Sequence, residues 1–414
     1  KDIIALGIQP GPHIRHMIER ANTTGVCTYD SLSDLLPPPT LGLQEPIPIG
    51  INIRARSDDE RDNVEKVIET MTELVRTPVV EAAAIMPDAC PAGPVGTIPV
   101  GGVVASRHIH PGMHSADVCC SVMASTYDNL TPPELMERIY NSTHFGPGGR
   151  REYVMSDSLR SRVLTNPITA PHFDIAEYHM GTQGDGNHFS FIGVQRSTGK
   201  TTLVTHHGSR GFGARVYRAG MAIADKYRRK LSPDTLKQNA WIPNDTDDFR
   251  TYMDALKIVA EWTRENHEVL HRDGDFMLWT KHNFVFERDG LIYHAKGSTP
   301  AWTGLELIPL NMAEPVLIVE GSDNPDALGF CPHGAGRNFS RSEHKRRGGA
   351  DMRDEVAGLD VMFWCGKPDE GELPSAYKNA KSVRQDIVDY RLAKVVDTIE
   401  PYGAIMAGEV TFQR

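Results

Sequence analysis

Gly181-Thr182-Gln183-Gly184-Asp185-Gly186-Asn187-His188-Phe189 runs from a glycine-rich loop into a β-strand and carries a histidine at the junction. The strand is expected over 189–194, an uncharged and largely apolar run. A second strand, Leu203-Val204-Thr205, ends in His206-His207-Gly208-Ser209-Arg210-Gly211, and a helix is expected to continue through Val216, Met221 and Tyr227. Short apolar runs bounded by glycine read as strands. The mixture of strands and helices points to an α+β chain with metal-ligand side-chain types at its strand ends.

The same arrangement recurs at Cys331-Pro332-His333-Gly334-Ala335-Gly336-Arg337-Asn338-Phe339-Ser340-Arg341. His333 lies between a strand end and a loop of small residues, so backbone N–H groups and a ligand can come close to its imidazole. Arg337 and Arg341 stand four residues apart, and guanidinium forks suit phosphate oxygens. The stretch reads as a nucleophilic or phosphate-binding histidine in a site for an anion. The bland alternative is a glycine turn whose arginines cap local carbonyls.

Length and charge set the bounds. The 414 residues leave room for two or three domains on length alone. A net charge of -10 argues against a surface that attracts nucleic acid everywhere, though not against a local basic cleft. No apolar run approaches the roughly 18 residues of a membrane span, and the first residues lack a signal-peptide pattern. Six cysteines in so long a chain do not make a disulfide scaffold. These features predict a reducing, cytoplasmic setting.

Residues 1–45 are expected to form an N-terminal appendage. Gly11-Pro12-His13 opens a short helix, and Leu36-Pro37-Pro38-Pro39 breaks the pattern. Residues 46–414 are expected to form the main domain. From Asp62, the stripe Val64, Val67, Ile68, Met71, Leu74 and Val75 predicts a helix. An apolar segment then reaches a turn at Met86-Pro87-Asp88, and glycine-punctuated strands lead to Ser115-Ala116-Asp117-Val118-Cys119-Cys120. Thr131-Pro132-Pro133-Glu134 signals a capped helix start. Further along, 256–270 reads as a helix, 282–294 as a hairpin, 316–319 as a buried strand and 382–398 as the last helix. The polar stretches 231–250 and 366–376 are expected at the periphery.

Asp117, Cys120, His188, His206, His282 and His333 recur at strand ends or in glycine turns. Carboxylate, thiolate and imidazole together suit a borderline divalent ion such as zinc, manganese or iron. Their number could serve two ions, with Asp117 and Cys120 bridging. His13, His108, His110, His114, His172, His179 and His344 lack that setting and are expected to be ordinary core or surface residues. Cys27, Cys90, Cys119, Cys331 and Cys365 are expected to be buried thiols. Arg210, Arg337, Arg341 and Lys296 add capacity for phosphate, and glycine turns can form anion nests. Metals, phosphate binders and a histidine together suggest phosphoryl or nucleotidyl transfer.

These residues also resemble a known family. Gly181 to Phe189 is similar to the GTxGxGNHF segment of the RtcB family of RNA ligases. His206 to Gly211 resembles its HSGSRG, His282-Asn283-Phe284 its HHNY, and Cys331 to Arg341 its SHGAGRxxSR. Met86-Pro87-Asp88 resembles its MPD turn and Asp117-Val118-Cys119-Cys120 its DIGC, all in the family's order across about residues 80–345. The resemblance implies a single large domain of mixed, mainly antiparallel sheets around a central metal cleft, with helices outside. It implies an enzyme that joins an RNA 3′-phosphate, or 2′,3′-cyclic phosphate, to a 5′-hydroxyl in RNA repair or splicing, using GTP and one or two Mn²⁺ ions. A helper protein is among the implied partners, and a membrane is not.

Carried over motif by motif, His333 would hold GMP covalently and Asp88 would assist. Asp117, Cys120, His188, His206 and His282 would be metal ligands. Asn187, Asn283, Asn311, Met312, Gly334, Ala335 and Gly336 would line the nucleotide site, while Arg210, Arg337, Arg341 and Lys296 would hold phosphates. The chain departs from the pattern where the family reads guanine. Phe191 stands in place of a glutamate, and Ala407 in place of a near-terminal lysine. Pro309-Leu310-Asn311-Met312-Ala313 replaces a PGSMG turn, Val316 replaces a serine, and Cys119 and Ser121 replace glycines. The expectation is a divergent ligase that keeps the metal and histidine machinery and alters nucleotide choice. The rivals are an RNA-end-binding protein and a metallophosphatase or cyclic phosphodiesterase on the same scaffold.

Overall fold

The computed structural model describes residues 2–36, 39–150, 152–348 and 351–409. The expected proline break at 37–38 lies outside them. The architecture is α+β and mainly antiparallel. One sheet runs in the order Ile49–Ile51, Val80–Cys90, Val100–Ser106, Leu291–Lys296, Asn283–Arg288. A larger sheet runs Leu305–Ile308, Val316–Gly321, Ala393–Met406, Phe189–Gln195, Thr201–His207, Ser121–Tyr127, Asp275–Lys281. Among the strands of the described residues, only Ile49–Ile51 on Val80–Cys90 and Asp360–Phe363 on Ala393–Met406 pair in parallel. The first and last strands of the larger sheet approach each other, so it curls almost into a barrel.

Period-two alternation explains how this sheet fills its inside and arms its rim. Val122, Ala124, Phe191, Val204, Leu307, Val316, Ile318 and Ile399 pack together as one cluster. Ile192, Leu203, Ile405 and Ala407 point the other way and pack with Leu135, Met136 and Ile139. The helix Pro132–Ser142, which carries those three, begins at the expected N-cap with proline in its first turn, and Thr131 N donates to Glu134 Oε2 at 2.8 Å. Val122 pairs with His206, and Phe189 also pairs with His206. Cys120 and His206 therefore continue the rows of Val122 and Val204 into the open end. Ser121, Thr205 and His207 are sent to the opposite face, against the helix Asp247–Leu270. There Ser121 Oγ lies 3.0 Å from His267 Nε2, and Thr205 Oγ1 lies 2.7 Å from both His267 Nδ1 and His271 Nε2.

The largest apolar cluster joins the helices Asp157–Thr165, Arg210–Leu231 and Asp247–Leu270 around Trp262. Trp262 is fully buried, donates from Nε1 to Ala176 O at 3.0 Å and meets Phe212 at 5.9 Å between ring centroids. Trp262→Ala is expected to cost about 3–5 kcal/mol, because the cavity cannot collapse and a buried carbonyl loses its donor. The shift in urea midpoint measures it; a loss below about 1 kcal/mol would show that this cluster does not hold the helices.

Several expectations need correction. The first predicted helix of the main domain starts at Asp58 rather than Asp62, because Ser57 caps it and Asp58, Asp59 and Glu60 favour its N-terminus. Met86-Pro87-Asp88 is not a free turn: the strand Val80–Cys90 runs through it, with its register broken between Ile85 and Cys90. Proline cannot donate to the ladder there, so the strand bulges. The stretch 231–250 is not wholly peripheral, since Asn239, Ala240, Trp241 and Ile242 are buried. The helix expected over 382–398 is Ala380–Asp389, and Ala393–Met406 is a long strand. Cys27 is exposed, and Cys90 and Cys365 are half-buried rather than buried. Among the described residues no helix is long and apolar enough to cross a membrane. Near the N-terminus, Ile3, Ile8, Met17 and Leu32 form a small cluster of their own.

Candidate active site and metal centre

The strand ends converge as their register requires. Cys120, His206 and His282 bring one ligand atom each within 4.8 Å of one another, as do Asp117, Cys120 and His188. Cys120 belongs to both groups; Asp117 belongs to one. His188 Nε2 lies 3.2 Å from Asp117 Oδ2 and 3.7 Å from Cys120 Sγ. His206 Nε2 lies 3.2 Å from Cys120 Sγ and 3.2 Å from His282 Nε2. Gly208 permits this closeness, because a Cβ there would fall 1.9 Å from Asp117 Oδ1.

The donor set fits a divalent ion. His188 Nδ1 is held by Gln183 O at 2.6 Å and His206 Nδ1 by Asn187 O at 3.0 Å. An Nδ1–H bound to a carbonyl leaves Nε2 as the lone-pair nitrogen facing the cluster. Burial, with His188 and His333 nearby, brings His206 down to about 3. Burial, with His333 and His206 nearby, holds His282 well below its usual value. Both rings are thus neutral donors. Burial alone would raise Asp117, but His188 and Cys120 keep it below the usual carboxylate value. Burial and Asp117 push the Cys120 thiol well up. A cation is what lets such a thiol lose its proton.

His333 stands beside this cluster. Its ring centroid is 4.5 Å from that of His282 and 6.5 Å from that of His206. Its Nδ1 lies 2.6 Å from Asp88 Oδ2 and 2.7 Å from Gly297 O. Two acceptors at Nδ1 favour the proton there and leave the free lone pair on Nε2. Asp88 is fully buried and is delivered by the bulge in Val80–Cys90. Gly336 has φ +71°, and a Cβ there would sit 2.0 Å from Asp88 O, so only glycine lets the two loops meet.

A cavity of about 330 Å³ opens onto both features. Of the expected site residues, Asp117, Cys120, His206, His282 and His333 line it, with Asn187, Asn283, Asn311, Met312 and Gly334 to Gly336. Lys296, Arg337 and Arg341 also line it. Burial lowers Lys296 to about 8, and its Nζ donates to Ile98 O at 3.1 Å. His188 and Asp88 stand behind the wall, in contact with Asp117 and His333 respectively. Arg210 is also off the cavity. It donates to Thr182 Oγ1 and Gly146 O, both at 3.1 Å, and braces the loop that carries His188. Nε and Nη2 are thus bonded to the protein, while Nη1 has no hydrogen-bond partner among the described residues.

Sequence reasoning missed part of this wall. Phe189, Leu310, Glu372, Tyr377, Ala404 and Met406 line the cavity. Phe191 lines it as well, 2 % exposed. Ala407 does not: it packs against the outer cluster, one residue out of phase with Ala404 and Met406. Glu372 lies in the stretch expected at the periphery, yet it is 2 % exposed. Its acidity in a polar run gave no signal; only its pairing with two arginines marks it.

The comparisons with known proteins agree with this geometry. A family model described as tRNA-splicing ligase RtcB matches residues 161–407. A protein named tRNA-splicing ligase RtcB from Aeropyrum pernix is 27% identical, over 74% of this chain and 84% of its own length. One of the same name from Pyrococcus furiosus is 27% identical over 62% of this chain, which is 32% of its own length. The RNA-splicing ligase RtcB of Escherichia coli K12 is 26% identical over 53% of this chain and 60% of its own. The chain thus spans a third to four-fifths of these relatives. With a family model covering more than half of the chain, and the strand-end ligands gathered beside one histidine, this protein belongs to the RtcB family.

Proposed function

We propose that the protein is an RNA ligase that joins 3′-phosphate or 2′,3′-cyclic phosphate ends to 5′-hydroxyl ends through a nucleotide held on His333, with GTP and manganese. One observation carries this reading: the imidazole of His333 is pinned through Nδ1 by Asp88 and Gly297, 4.5 Å from His282 of a five-residue donor set. Proteins named RNA-splicing ligase among the relatives support it. Residues 1–45 are proposed to be an appendage to the catalytic domain. The six unbridged cysteines suit a reducing compartment.

In the first step His333 Nε2 attacks the α-phosphorus of the nucleotide; an N–P bond forms and pyrophosphate leaves. Asp88 keeps the Nδ1 proton and stabilises the positive charge that develops on the ring. The nucleotide then passes to an oxygen of the RNA 3′-phosphate as the N–P bond breaks. The 5′-hydroxyl finally attacks the 3′-phosphorus, losing its proton, and releases the nucleotide. A cyclic end must first be opened by water. Bound at Asp117, Cys120, His188, His206 and His282, divalent ions would supply Lewis-acid stabilisation of phosphoryl oxygens. Asn187, Asn283 and Gly334 to Gly336 would orient the nucleotide along the cavity.

The test is incubation with manganese and each of the four nucleoside triphosphates, read as a mass increment on His333, beside ligation of a 3′-phosphate oligonucleotide. No increment with any nucleotide, while an established ligase labels in parallel, would overturn the reading. Phe191 favours a second reading, in which the scaffold binds or dephosphorylates RNA ends. It puts an aromatic face where guanine's donor edge needs an acceptor. Phosphate release without joining would select that alternative.

A further inference from the structure

The cavity holds two arginines, and the structure separates their work. Arg337 is 14 % exposed, and its fork is committed. Nη1 donates to Gly371 O at 2.5 Å; Nη2 donates to Glu372 Oε2 at 2.5 Å and to Tyr377 Oη at 3.2 Å. Its guanidinium also lies 4.5 Å from the centre of the Tyr377 ring. Tyr377 Oη donates to the same Glu372 oxygen at 2.5 Å. Arg341 is different. It is 49 % exposed and gives only Nε to Glu372 Oε1. Its Nη groups donate to no protein atom among the described residues. They face the loop that carries Asn187 and His188, since a Cβ on Gly186 would stand 3.1 Å from Arg341 Nη2.

We propose that Glu372 is a positioning residue that turns Arg337 into a brace and aims Arg341 as the phosphate-binding guanidinium of the cavity. The inference rests on the reading of this cavity as a site that handles phosphates. Glu372 is 2 % exposed, and its carboxylate is paired with both arginines. Its two oxygens divide between the arginines, with Oε2 taking Arg337 and Oε1 taking Arg341 Nε. A long, half-exposed arginine loses side-chain entropy when it binds an anion. Fixing Nε beforehand removes part of that cost and leaves both Nη groups for a bidentate contact. Glu372 itself is held from below: Asp369 accepts from Gly371 N at 2.9 Å and pairs with Lys345 at 2.8 Å. The ligand class is a phosphate monoester or a pyrophosphate, bound between Arg341 and the metal centre.

The test is calorimetric titration of the full chain with inorganic pyrophosphate in the presence of chelator, so that only protein groups bind it. Arg341→Lys keeps the charge and loses the fork. Glu372→Asp keeps the charge and is too short to span both arginines. Each is expected to weaken binding about tenfold. The double variant is expected to lose about tenfold as well, not a hundredfold, because both changes remove one contact. Arg337→Lys, which keeps a cation beside Glu372, is expected to lower the melting temperature and to weaken binding less than Arg341→Lys does. Unchanged affinity in Glu372→Asp, a hundredfold loss in the double variant, a larger loss in Arg337→Lys than in Arg341→Lys, or no binding by the parent protein would each overturn the proposal. Labelling of His333 is a separate readout, so failure of the ligase reading leaves the pyrophosphate result interpretable.

Discussion

His333→Ala is expected to take up no nucleotide covalently, and Asp88→Asn is expected to slow uptake by about 10²- to 10⁴-fold. The first follows because the neighbouring imidazoles of His206 and His282 point their lone pairs into the metal cluster. The second is a matter of tautomer. Asp88 accepts the Nδ1 proton at 2.6 Å and so keeps Nε2 unprotonated. An asparagine amide can donate to Nδ1 instead, which moves the ring proton onto the attacking nitrogen. Gly297 O, at 2.7 Å, still favours the native tautomer, so the loss should stop short of that for His333→Ala. Single-turnover labelling measured by mass gives both rates. An Asp88→Asn rate within about twofold of the parent would show that the carboxylate does not set the tautomer.

Cys120→Ala is expected to weaken divalent-metal binding by more than about 100-fold, whereas Cys119→Ala should leave it unchanged. Cys120 contributes to both ligand groups, so removing it damages both. Cys119 is buried in the large apolar cluster with Val118 and Phe212, where burial pushes its thiol up to about 12. The Cys120 thiol is also held well above its usual value, by burial and by Asp117. Metal must displace that proton, so affinity in the parent should rise with pH and this dependence should flatten in Cys120→Ala. Titration with manganese at two pH values reads both effects. Full affinity in Cys120→Ala would remove the thiolate from the centre.

The two outcomes bear on different links of one chain of causes. The candidate ligand cluster exists because β-strand alternation puts Cys120 and His206 in line with Val122 and Val204. Shifting either strand by one residue would present Ser121 or His207 instead. On the other face, His267 and His271 hold Ser121 and Thr205, which opposes such a slip. His207 and His267 stack there at 3.6 Å between ring centroids.

The local patterns were legible from the amino acids alone. Glycine loops beside His188, His206 and His333 announced an α+β chain with strand-end ligands, because loop chemistry and apolar runs are short-range properties. So was the departure at Phe191, which does line the cavity. Phase and distance were not legible. The strand Ala393–Met406 reads as the continuation of a helix until its neighbours Val316–Gly321 and Phe189–Gln195 are present to pair with it. Ala407 could not be separated from Ala404 and Met406 without knowing which face is inside. Trp241 and Ile242 sit in a polar stretch whose burial depends on distant contacts, such as the bridge from Ile242 to Ile109. Glu372 is the clearest case, for its meaning lies in Arg337 and Arg341, more than thirty residues away. Sequence specified which side chains are of metal- and phosphate-binding type; tertiary structure alone decided which of them come together, because hydrogen-bond register and burial arise between segments and not within them.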